Sequence, residues 1–126
     1  MKRYIKATIV SPMQEADVND RYDIACDPNT PLSVVMDLAR TRLFVARARV
    51  ALDPNATSDM LHIVHELNAD DYHTDRCIDA CILQNPNCPE DLKNSMHIPI
   101  EVCDSLIQDI IECNPALRQY VYKLYL

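Results

Sequence analysis

The chain has 126 residues, 12 Lys+Arg against 19 Asp+Glu for a net charge of -7, and neither glycine nor tryptophan. That length suits one ordinary domain, and the acid excess disfavours direct binding along a nucleic-acid backbone. The absence of glycine removes the glycine-dependent motifs: the P-loop, the dinucleotide fingerprint, the nucleophile elbow, the kinase loop and the EF-hand.

In chain order, residues 1–13 read as an N-terminal arm, with a basic start and a weak alternation from Tyr4 to Val10. Its apolar stretch is too short for a signal segment, and no run approaches the ~18 apolar residues of a membrane span, so a cytoplasmic protein is expected. The six cysteines then read as reduced core thiols.

Residues 14–95 repeat. Asp27-Pro28-Asn29-Thr30-Pro31, Asp53-Pro54-Asn55-Ala56-Thr57 and Asn85-Pro86-Asn87-Cys88-Pro89 share one pattern, and Asn114-Pro115 is a degenerate copy. Arg21-Tyr22-Asp23-Ile24-Ala25 and Arg47-Ala48-Arg49-Val50-Ala51 precede the first two at the same offset. The chemistry is that of a turn: Asx side chains bond their own backbone, and proline stops the preceding helix. Thr30 and Cys88, each followed by proline, read as caps of new helices with the proline at the first helical position. Between turns the apolar spacing is helical, as in Leu32, Val35, Met36, Leu38 and in Met60, Leu61, Val64, Leu67. Helices this short must stack to persist. Residues 96–126 read as divergent C-terminal capping helices of the same single domain, 1–126.

The Asx-Pro-Asn-Thr-Pro turn with Arg-x-x-[Ile/Val]-Ala before it resembles the leucine-rich repeat variant family, well over residues 21–92 and loosely after residue 98. The resemblance implies an all-α, right-handed solenoid of about four units that alternate α-helix with 3₁₀ turn. Some members carry an iron–sulfur cluster on a Cys-rich N-terminal segment; only Cys26 precedes Cys77 here, so no cofactor is carried over. The family supplies no shared catalytic activity.

Candidate sites are few. Arg40, Arg42, Arg47 and Arg49 form the one mid-chain basic cluster, read either as an anion or acidic-peptide site or as pairing between repeats. Tyr120, Tyr122 and Tyr125 crowd the C-terminus, as a docked end or a partner contact. His73, Cys77 and Cys81 share a helix face and are a weak metal candidate, but the tight Cys-x-x-Cys knuckles of structural zinc are missing. His62 and His65 lack the His-Glu-x-x-His spacing. The expectation is therefore a non-catalytic protein-interaction module, monomer or homodimer, away from membranes. Its acidic surface would engage a basic or nucleic-acid-binding protein. The alternatives are a small inhibitor that mimics nucleic-acid charge and a Cys/His metal or redox protein.

Overall fold

The computed structural model describes residues 18–68 and 71–125, with side chains for residues 20–68 and 71–121. The arm expected at residues 1–13 and the side chains of Tyr122 and Tyr125 lie outside these. The described residues are all-α, without a strand: α1 (Val18–Cys26), α2 (Leu32–Arg40), α3 (Phe44–Leu52), α4 (Ser58–Glu66), α5 (Tyr72–Gln84), α6 (Glu90–Ser95), α7 (Ile100–Cys113), a 3₁₀ turn (Pro115–Leu117) and α8 (Arg118–Tyr125). None of these helices is long and apolar enough to cross a membrane.

The three Asx-Pro-Asn segments fold identically. The Asp27 carboxylate accepts from the Asn29 N–H (2.9 Å), Asp53 from Asn55 (2.8 Å), and the Asn85 side-chain oxygen from Asn87 (2.9 Å). In each, the backbone carbonyl of the Asx also accepts from the N–H three residues on, at 3.0 Å. The helix starts differ from expectation by one position. Pro31 and Pro89 are themselves the residues before the helix, with no side-chain cap, so Thr30 and Cys88 do not cap. Proline brings a fixed φ near the helical value, and its carbonyl already accepts the first helical bonds. At α4 and α5 a side chain does cap: Thr57 accepts from the Met60 N–H (3.1 Å) and Asp71 from the Thr74 N–H (2.9 Å).

The expected alternation of α and 3₁₀ units gives way to α-helices at α2, α4 and α6; in α2 and α4 the apolar residues recur at α spacing. Among the described residues, 3₁₀ geometry is confined to Pro115–Leu117. A chain without glycine must also find another residue for a left-handed position. Arg42 takes it (φ 70°) between α2 and α3, at a cost of ~1 kcal/mol. Its Nη1 donates to the Leu67 carbonyl (2.9 Å), and its N–H closes α2 onto the Ala39 carbonyl (3.0 Å).

Alternate helices pack side by side, α1 on α3, α3 on α5 and α5 on α7, with α2 and α4 against this row. The C-terminal ends of α1, α3 and α5 are joined by hydrogen bonds, so these three run parallel. α7 runs the other way: His73 at the start of α5 meets Asp109 near the end of α7. The core is continuous along the row, from Ala25 through Val50, Leu52, Ile78 and Ile82 to Ile107 and Ile111.

Candidate functional site

The four arginines of the basic cluster do not form one surface. Arg40 is exposed and pairs with Asp37 (3.5 Å). Arg42 is exposed and tied to the Leu67 carbonyl. Arg47 and Arg49 are 1% and 2% exposed, which removes both from any outward-facing patch. The cause is their place on α3, which lies between α1 and α5 in the row: every residue from Val45 to Leu52 is buried.

Arg49 is a clamp. Its Nη1 donates to the carbonyls of Ala25 (2.8 Å) and Asp27 (3.2 Å), its Nε faces Asp53 Oδ2 (3.4 Å), and its guanidinium lies 4.5 Å from the centre of the Tyr120 ring. Tyr120, expected as a docked end or a partner contact, is buried, and its hydroxyl donates to the Cys26 carbonyl (2.7 Å). α8 therefore returns across the start of the row, and the Tyr120 side chain belongs to the interior. Burial raises the Tyr120 phenol above its ordinary value, against the pull of Arg49.

Arg47 lies on another side of α3, with its guanidinium 5.8 Å from the centre of the Phe44 ring. It lines a cavity of about 540 Å³ where the starts of α3 and α5 meet the end of α7. Phe44, His73, Cys77, Ile110 and Cys113 also line it, with Asp71 and Asp109 among its polar groups.

His73 and Cys77 meet here, Sγ to Nε2 at 3.6 Å, and the same Nε2 lies 3.6 Å from Asp109 Oδ2. Spacing along the chain gave no sign of Asp109, which arrives from α7 because that helix is reversed. Cys81 does not join them: it sits a turn deeper, fully buried in the core. Among the described residues no three His, Cys, Asp or Glu side chains are placed to hold a metal ion.

The trio also lacks the arrangement of a nucleophilic relay. A relay needs the nucleophile on one imidazole nitrogen and the carboxylate on the other. Here both approach Nε2. The Cys77 thiol is moreover pushed up to about 11, by burial first and then by Asp109, Asp71 and Cys113, so it stays protonated at neutral pH. Burial raises the thiols of Cys26, Cys81, Cys88 and Cys103 as well. Asp71 is lowered, chiefly because it accepts the Thr74 backbone N–H and then the Thr74 hydroxyl.

The outer face of α7 has a different character. Glu101, Asp104, Ser105, Gln108, Asp109 and Glu112 are exposed along it, while Cys103, Leu106, Ile107, Ile110 and Ile111 are buried. The helix carries four acids and no Lys or Arg. Comparison with protein-family models, with curated proteins and with solved structures finds no match to this chain.

Proposed function

We propose that the chain is a non-catalytic, cytoplasmic protein-interaction module of the leucine-rich repeat variant type, whose acidic outer surface engages a basic partner, most simply a nucleic-acid-binding protein. One observation carries the reading. Arg47 and Arg49 are withdrawn into the interior while, among the described acids, only Asp53 is buried, so the described surface is more acidic than the charges of its residues alone suggest. The face of α7 is acidic and without a cation. Such a surface accelerates encounter with a cationic partner and selects against acidic ones. The protonated Cys77 and the misdirected His73 fit a binding rather than a catalytic role.

The test begins with proteins retained from cell extract on the immobilised chain at low salt. Each is then purified and titrated calorimetrically against the wild type and against E101Q/D104N/E112Q. The expected partner is basic, its affinity falls steeply with salt, and the triple variant binds at least ~10-fold more weakly, a loss of ~1.4 kcal/mol. Competition by duplex DNA for the same partner identifies charge mimicry as the mode. Retained proteins whose affinity ignores both salt and the three substitutions overturn the reading, as does the absence of any basic protein among them.

A further inference from the structure

The turns at Asp53 and Asn85 are clasped to each other at their tips. The Asn87 side-chain amide donates to the carbonyls of Pro54 (2.9 Å) and Ala56 (2.8 Å), and the Ser58 hydroxyl donates to the Asn87 carbonyl (2.8 Å). At the same offsets, the turns at Asp27 and Asp53 would need the Asn55 amide on the carbonyls of Pro28 and Thr30, and a hydroxyl at position 32. Position 32 is leucine, which has no proton to give. Asn55 bonds through its backbone N–H to Asp53, and among the described residues its side chain takes neither carbonyl.

A cavity stands where the missing clasp would be. It is lined by Pro28, Thr30, Leu32 and Asn55, with the buried Arg49 and Tyr120. We infer that this gap is a binding site for a primary carboxamide, which takes the place that the Asn87 amide takes one repeat further on. Its volume of about 330 Å³ lies at the small end of the range of ligand sites, roughly 300–1,000 Å³. The internal repeat supplies the precedent: the same pair of backbone carbonyls, at the same offsets, is already held by a carboxamide in the neighbouring turn.

Charge selects among the groups that could enter. A carboxylate has no proton for the two carbonyls and adds a negative charge beside Asp53. An ammonium has protons, but it must settle near the permanent charge of Arg49, whose counter-ion Asp53 is already engaged at 3.4 Å. A primary amide brings two donors, no charge, and an oxygen that can accept from the Asn55 amide. Leu32 and Pro54 offer its alkyl end an apolar contact. The amide comes either from an Asn or Gln side chain of another protein or from a small free amide. The site makes no use of the exposed carboxylates of α7, so it stands or falls apart from the reading of that face.

The experiment follows ¹H–¹⁵N spectra of the full chain during separate titrations with propionamide, propionate and propylammonium. Saturable shifts are expected at Thr30 and Asn55 with propionamide, and at least ~10-fold weaker binding of the two charged probes. Asn55 is exposed, so substitutions there leave the core intact. Asn55→Gln lengthens the chain's own amide and lets it compete for the two carbonyls, and Asn55→Leu fills the gap with an apolar group. Each is expected to weaken propionamide more than ~10-fold. N-acetylasparagine methylamide, which carries the same amide on a peptide backbone, separates the two sources. An affinity equal to or above that of propionamide assigns the site to a protein side chain, and a lower one assigns it to a small free amide. Equal affinity for the amide and the two charged probes, propionamide binding indifferent to both substitutions, or no saturable shift up to ~50 mM propionamide overturns the assignment.

Discussion

The turns at Asp27 and Asp53 follow one backbone path, yet different side chains hold them. The second is held by Asn85, whose amide donates to the carbonyls of Ala51 and Asp53, both at 2.9 Å. The first offers the equivalent acceptors, Ala25 and Asp27, but the residue equivalent to Asn85 is Asp53, and a carboxylate has no proton to give. Arg49, one helical turn earlier, reaches over instead, and Asp53 becomes its counter-ion. Two adjacent repeats thus meet the same demand for buried donors, one with a neutral amide and the other with an ion pair covered by Tyr120. Stacking fixes which backbone carbonyls must be satisfied, and the side chain that satisfies them is interchangeable.

Removing the charged clamp has the largest expected effect. Arg49→Met strands Asp53 and the carbonyls of Ala25 and Asp27, and urea unfolding is expected to show a loss of ~3–5 kcal/mol. Adding Asp53→Asn to that variant restores an amide at the Asn85-equivalent position and removes the buried charge. It is expected to recover at least ~1 kcal/mol; a double variant no more stable than Arg49→Met denies the equivalence of the two clamps.

Next in size is Asn85→Ala. It deletes both bonds to the second turn and the Asx bond to Asn87, with an expected loss of ~2–3 kcal/mol by the same measurement. A loss as large as that of Arg49→Met means that charge adds nothing to the first clamp.

Alkaline pH acts outside both clamps, and its effect is measured as the stability of the wild type in a pH series. The thiols of Cys26, Cys77, Cys81, Cys88 and Cys103 are all raised in the folded state. From about pH 8.5 the unfolded chain loses thiol protons that the folded chain keeps. Stability is therefore complete below that pH and falls as pH rises, by up to ~1.4 kcal/mol per thiol per pH unit. For Cys77 the fall ends near pH 11. Asp71 has the opposite sign: its lowered carboxyl stabilises above the ordinary carboxylate range and ceases to as pH drops through it. A profile that stays flat to pH 10 contradicts the burial of the thiols.

Local chemistry was the legible part. Asx-Pro-Asn at three places announced three identical turns, because both the hydrogen bond and the proline constraint lie within the motif. The apolar spacing at residues 32–38 and 60–67 marked α2 and α4 as helices. What could not be read depends on separated segments. The reversal of α7 follows from the short α6 and the link after it, and no residue in Ile100–Cys113 encodes direction. Arg47 and Arg49 resemble surface residues in sequence; only the position of α3 between α1 and α5 buries them. The cavity joins residues from three regions of the chain, and its one sequence trace is that Arg47 occupies the repeated arginine position also held by Arg21.

The bond from Tyr120 to Cys26 spans 94 residues, whereas those between neighbouring turns span 22 to 34. This difference sets an order in time. Contacts between adjacent repeats close short loops and can form as the chain lengthens on the ribosome, while the long closure waits. Until residues 119 and 120 have emerged, the Cys26 carbonyl keeps its water and the Tyr120-facing side of Arg49 stays uncovered. Of the described helices, α1 is thus made first and sealed last, and a chain stalled before α8 leaves the Cys26 end of α1 uncovered.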